Sequence, residues 1–243
     1  MSWQTLSLHF KQQYDGAFRY LDRCGEFMLA AVEKLDFLPG DTKPIGAKLE
    51  IPERGLSATV DTLELAVAQE MPGDDSDFFL KTSLGLVELV NEHFTPKRVI
   101  RNGFACKSFW PIPDADRLLA TSLQFGGNDH LDLGKIVGMV PAHKRLDMNF
   151  SSGSMDLHVL LHPVTFEKMT LNRHNATFKA ASVQKQRVER LNKFADRFDI
   201  KFSHAMLLEL DLMEIDPPAR SLEDQFSELK RHLDALRKQF TIK

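Results

Sequence analysis

Leu63-Glu64-Leu65 and Leu208-Glu209-Leu210 are the two stretches whose reading decides the fold. Each is followed by a proline turn, at Pro72 and at Pro217, and then by a helix-period run, Phe79 to Phe94 and Phe226 to Phe240. Leucine to first phenylalanine is 16 residues in one segment and 18 in the other, and phenylalanine to phenylalanine is 15 and 14. The spacing describes a strand, a capped turn and a helix that packs back on the strand. Such a unit cannot bury its apolar face alone, whereas two side by side can share a sheet. The expected fold is α+β: mostly antiparallel sheet, helices packed on one face, and two strand–helix halves. Duplication is one account of the halves; a chance likeness of two common units is its rival. The halves run from 1 to 125 and from 126 to 243 and are expected to share a core.

Working outward, Trp3 to Phe10 alternates like an edge strand, and Asp15 to Asp36 reads as a helix. Phe18, Leu21, Met28, Val32 and Leu35 recur there at steps of three, four and seven, and Pro39-Gly40-Asp41 ends it. Ala47 to Ile51 and Leu56 to Gln69 read as strands around a Pro52-to-Gly55 turn. Pro72 to Ser76 supplies N-cap residues for a helix over 77–94, which Pro96 stops. Arg98 to Trp110 returns as a strand with a bulge expected at Gly103. Further on come a helix over 114–125, a loop at 126–129, and a hairpin of 145–150 with 155–162 around Ser151-Ser152-Gly153-Ser154. A strand near 169–178, a charged helix over 181–198 and a strand over 205–215 follow, and Ser221-Leu222-Glu223-Asp224 opens the last helix with a capping box.

The closing segment Leu207 to Phe240, together with Arg101-Asn102-Gly103-Phe104, resembles an uncharacterised, sporadically distributed family of soluble bacterial proteins. The match covers about a quarter of the chain, and the family's basic residue and tyrosine after the second segment are here Ala105 and Cys106. The resemblance implies a two-halved α+β architecture and a bacterial source. It implies no chemistry.

Bulk composition excludes several classes. With 31 basic and 34 acidic residues the net charge is −3, which argues against a protein that coats nucleic acid over its whole surface. Cys24 and Cys106 stand 82 positions apart, so neither a zinc ribbon nor a Cys-x-x-Cys redox pair is present. The first ten residues lack the charged and apolar regions of a signal peptide, and no apolar run approaches the roughly 20 residues of a bilayer span. The expectation is a cytoplasmic protein with no membrane partner and no cofactor.

Candidate chemistry is sparse, and no catalytic residue is assigned. On the hairpin, Met155, Leu157, Val159 and Leu161 alternate with Asp156, His158 and His162, with Asp147 and Asn149 on the same side of the partner strand. Asp156, His158 and His162 form a ligand set that zinc or iron accepts, but His158 and His162 stand roughly 13 Å apart on an extended strand. The plainer reading is a solvated polar face. Asp129-His130-Leu131-Asp132 offers a loop histidine beside carboxylates, and Cys106 precedes Lys107. Glu64 and Glu209 occupy matching places in the two halves, which raises a paired-carboxylate site. Arg187, Arg190, Lys193 and Arg197 on the 181–198 helix, with Lys97, Arg98, Arg101 and Lys107 near Phe104, Phe109 and Trp110, form the candidate nucleic-acid surface.

Leu222, Phe226, Leu229, Leu233, Leu236 and Phe240 recur at 4, 3, 4, 3, 4. This is the pattern either of a helix lying on a sheet or of a contact with another protein or a second copy. The leading expectation is therefore a non-enzymatic interaction or accessory protein that binds another protein or itself through this helix. A small-molecule or nucleotide-binding enzyme or sensor, with its site between the halves, is the first alternative. Nucleic-acid binding through 181–198 is the second and is not favoured.

Overall fold

The computed structural model describes residues 2–17, 19–43, 46–73, 75–112, 117, 145–165, 204–217 and 222–240. The helices expected over 114–125 and 181–198, the 126–129 loop and the strand near 169–178 lie outside them. Nine strands and three helices are described: β1 (Gln4–Tyr14), α1 (Tyr20–Leu35), β2 (Leu38–Lys43), β3 (Gly46–Ile51), β4 (Leu56–Asp61), β5 (Glu64–Glu70), α2 (Ser76–Phe94), β6 (Val99–Ile112), β7 (Leu146–Ser152), β8 (Met155–Thr165), β9 (His204–Ile215) and α3 (Leu222–Gln239). The strands form one sheet in the order β2-β3-β4-β5-β1-β6-β9-β8-β7. Every pairing is antiparallel. The α+β class expected from the sequence is therefore the class of the protein.

Strand alternation divides the side chains. Leu8, Phe10 and Tyr14 on β1, Leu65 and Val67 on β5, Phe104 and Cys106 on β6, and Leu208, Leu210 and Leu212 on β9 are all buried. They join Phe27 and Ala31 of α1, Phe79, Leu86 and Val90 of α2, and Phe226, Leu229 and Leu233 of α3 in a single core. One core thus takes residues from β1 to α3. Burying a phenylalanine of this kind contributes about 1.5–3 kcal/mol. A second, smaller apolar cluster lies on alternate positions, with Phe109, Ala205 and Leu207 packed against Leu6 and Val164.

The register around the β1–β6 pair is ordered. Phe10 stands opposite Phe104. Four residues before each, at Leu6 and at Ile100, one extra residue bulges from the strand. The carbonyl of Leu6 accepts the amide of Met71 at 2.7 Å, and that of Ile100 accepts the amide of Asp216 at 2.8 Å. Met71 and Asp216 are each in the left-handed region, at φ 50° and 45°. One residue earlier, Glu70 N donates to Gly55 O and Ile215 N to Ser154 O. Glu64 lies opposite Gln13, three residues past Phe10; Glu209 lies opposite Lys107, three residues past Phe104.

Several local expectations are corrected. The run 56–69 is two strands, because Asp61 Oδ1 accepts the amides of Leu63 and Glu64 at 2.7 and 2.8 Å and so turns the chain without glycine or proline. Pro39-Gly40-Asp41 lies inside the edge strand β2, whose pairing with β3 is irregular between Pro39 and Thr42. The β6 bulge is at Ile100; Gly103 runs in register with Lys11 and Met213. Leu21 is 68% exposed, and α1 instead buries Tyr20, Phe27, Ala30 and Ala31. β6 bonds to β9 over twelve residue pairs, from Arg101↔Ile215 to Ile112↔His204.

Candidate functional site

The positions that alternate with the core carry the polar residues. One row of directly opposed residues runs Ala68, His9, Ala105, Asp211, His158, Asn149, crossing five strand boundaries from β5 to β7. The flanking rows contain Lys11, Gly103 and Met213 on one side, and Ser7, Lys107, Glu209 and Leu160 on the other. His9 lies on β1, whereas Asp211 and His158 lie on β9 and β8, remote from it in sequence.

Most charges on this face are paired. Lys11 Nζ donates to Glu64 at 2.7 Å, and Gln13 adds a longer bond at 3.4 Å. Lys107 meets Glu209 at 2.5 Å, and His162 Nε2 lies 3.2 Å from the other Glu209 oxygen. His158 Nε2 lies 2.9 Å from Asp147, which Arg145 also contacts. The Lys11 hydrogen bond holds the Glu64 carboxyl below its usual range. Burial pushes Glu209 upward, but its bonds to Lys107 and His162 together outweigh burial and it settles low. Hydrogen bonds from Arg145 and then His158 hold Asp147 low as well.

Two groups near the centre are displaced by burial. His9 is held below the usual histidine value by desolvation, and the Lys107 charge pushes it further down. Its Nε2 lies 2.9 Å from Ser7 Oγ. The Asp211 carboxyl is pushed up by desolvation, against the pull of Arg101, His158 and His9. Among the described residues, neither the Asp211 nor the Arg101 side chain is in a hydrogen bond or an ion pair, although the Arg101 charge pulls on both Asp211 and Glu64. Beside them β6 carries Gly103, where a Cβ would stand 3.2 Å from Met213 Cγ and 4.0 Å from Asp211 Oδ1. Lys11 borders Gly103 on β1, Met213 borders it on β9, and Arg101 and Ala105 precede and follow it on the same face.

No family model matches the chain, and no curated protein matches it. The site rests on its own geometry.

Asp156, His158 and His162 do share a face of β8, as alternation requires, but they do not converge. Asp156 stands opposite Met213, His158 turns to Asp147 and His162 turns to Glu209. Among the described residues, no three His, Cys, Asp or Glu side chains gather as metal ligands. Glu64 and Glu209 are not brought together either, because β1 and β6 lie between their strands and each has its own lysine. Cys106 is buried, and that burial pushes its thiol up and disfavours the thiolate; Cys24 is half-buried. Of the basic cluster near Phe104, Lys107 pairs with Glu209, and Arg98 lies 3.9 Å from Asp216. Arg187, Arg190, Lys193, Arg197 and the 129–132 loop lie outside the described residues.

The helix stripe is corrected as a docking surface. Phe226, Leu229, Leu233 and Phe240 are buried, and Leu222 and Leu236 pack against the same core. Phe226 stacks on Phe104 and Phe79, with ring centroids 5.2 and 6.0 Å away. The heptad spacing thus serves a helix lying on its own sheet.

The sequence signal for the central site was incomplete. Arg101 and Gly103 were visible, but only as a member of a basic cluster and as a bulge candidate. The pairing of β6 with β9, across about a hundred residues of chain, is what makes them neighbours of Asp211.

Proposed function

We propose that the protein is a non-enzymatic small-ligand-binding module, a sensor or accessory protein, whose site lies on the polar sheet face where its two halves meet. The observation that carries this reading is the pair Arg101 and Asp211, on the two sides of the Gly103–Met213 row, whose side chains are in no hydrogen bond or ion pair among the described residues. Lys11, Lys107, His158 and His162 on the same face each lie against a carboxylate, whereas Arg101 and Asp211 do not. A half-buried carboxylate without a donor is costly unless something supplies one.

The two halves, on this reading, descend from one duplicated strand–helix unit. The matched bulges, carbonyl acceptors and left-handed residues around Phe10 and Phe104 support it. A duplicated unit places its first strands side by side, and the seam between them is a natural place for a ligand.

Native mass spectrometry of the whole protein, purified without denaturation from cell extract, tests the function. The expected result is a small-molecule adduct that Arg101→Gln and Asp211→Asn each remove. An unadducted protein that also shows no thermal shift across a panel of small metabolites would overturn it.

A further inference from the structure

The two edges of the sheet are built differently. At one, β2 carries Pro39 and Gly40, and its pairing with β3 is irregular between Pro39 and Thr42. Proline and broken register are devices that keep an edge from recruiting another strand. At the other, β7 pairs with β8 in unbroken register from Leu146↔Leu161 to Ser152↔Met155. Its seven residues, Leu-Asp-Met-Asn-Phe-Ser-Ser, include no proline, glycine or lysine. Among the described residues its backbone bonds to no strand or loop besides β8. Phe150 is 49% exposed, on the face where Val159 and Leu161 of β8 are buried.

An open edge offers backbone donors and acceptors to an extended strand, and the β7 sequence says which strand fits. Directly opposed residues of an antiparallel pair turn their backbone groups the same way, and that direction alternates along a strand. A strand therefore meets a copy of itself about a residue, never between two. The centre that engages all seven residues of β7 is Asn149. It sets Met148 opposite Phe150 twice, Leu146 opposite Ser152, and Asp147 opposite Ser151. The ring left exposed in one chain gains an apolar neighbour from the other, and no like charges stand opposed. Such a contact is isologous and closes at two copies. We infer that β7 is a self-recognition edge, through which two copies of this chain join their sheets antiparallel about Asn149.

A junction of this length falls at the small end of protein interfaces, below about 1,200 Å², so the dimer is reversible, with half-dissociation on the order of 10 µM. Sedimentation velocity on the whole protein, across a concentration range on both sides of that value, measures it. Phe150 and Ser151 are exposed, so changes there leave the fold intact. Phe150→Lys, and Ser151→Asp with its acid opposite Asp147, each weaken association by on the order of tenfold, because the two-fold repeats every change. Ser151→Lys, with an ammonium opposite Asp147, strengthens it by about threefold to tenfold. On mild oxidation Asn149→Cys cross-links to itself, whereas Ser151→Cys and the parent with its Cys24 and Cys106 do so far less. A monomer at every concentration overturns the self-recognition edge, and so does a chain that is itself monomeric but captures a different protein. A dimer that Phe150→Lys and Ser151→Asp leave untouched overturns it as well. Cross-linking of Ser151→Cys as readily as Asn149→Cys overturns the register.

Discussion

Phe10 and Phe104 face each other across β1 and β6 with ring centroids 4.8 Å apart, and a bulge lies four residues before each, at Leu6 and at Ile100. The pair is also where the helices join the sheet, since Phe104 stacks on Phe226 and Phe226 on Phe79. Four aromatic rings at the seam thus connect β1, β6, α2 and α3. Truncation there leaves a cavity that close-packed neighbours fill only partly. Phe104→Ala is expected to cost about 3–5 kcal/mol, and Phe104→Leu no more than about 1.5 kcal/mol. Urea denaturation of both variants checks the difference; equal midpoints would mean the seam is not a packed centre.

The turn between β4 and β5 depends on one side chain. Asp61 caps two backbone amides, and its own carbonyl accepts the Tyr14 hydroxyl at 2.7 Å. Asp61→Ala removes both caps and leaves the carbonyl bond in place, so a loss of about 1–2 kcal/mol is expected. Asp61→Asn keeps an acceptor oxygen and is expected to lose less than half of that. Thermal denaturation of the pair measures it, and an alanine variant as stable as the asparagine one would exclude the capping role.

This turn also shows why part of the fold was legible and part was not. Patterns that repeat within one element were readable: the hairpin of β7 and β8, the N-cap at Asp75 and the heptad of α3. Hidden features were those whose cause lies elsewhere in space. A turn made by Asp61 carries no glycine or proline to announce it. The bulge at Ile100 depends on pairing with β1, and the neighbours of Gly103 come from strands remote in sequence. The exposed Leu21 fits a helical spacing as well as a buried residue does; only packing against α2 decides which stripe of α1 is inside.

The α3 stripe separates two uses of a heptad. Leu229 is 1% exposed inside the chain's own core. Leu229→Ala is therefore expected to destabilise the protein by about 2–5 kcal/mol. Because the contact is internal, the loss should be the same at every protein concentration. Denaturation curves over a hundredfold concentration range check it; a loss that vanishes on dilution would place the stripe between chains instead.

Glu209 and Asp211 sit two residues apart on one face of β9 and are expected to respond to pH with opposite signs. Glu209 is held below the ordinary carboxylate range by Lys107 and His162 once they have overcome its burial, so the folded state favours its charged form. Its contribution is present above the ordinary glutamate value and is lost as pH falls through the lowered one. Glu209→Gln should weaken the protein at neutral pH, by about 1 kcal/mol or less because the pair is partly exposed, and should flatten the acid limb of the stability curve. Asp211 is the reverse. Burial raises its carboxyl, so the folded state holds that proton more tightly than the unfolded chain does. Stability from this group is full below the ordinary aspartate value and declines as pH rises through the raised one. Asp211→Asn removes that decline, so the variant should be more stable than the parent at neutral pH and equal to it in acid. The same substitution is expected to weaken ligand binding, which would make the carboxylate a group retained at a cost to the fold. Urea unfolding at a series of pH values measures both signs, and an Asp211→Asn variant less stable than the parent at neutral pH would refute the account of a carboxylate waiting for a donor.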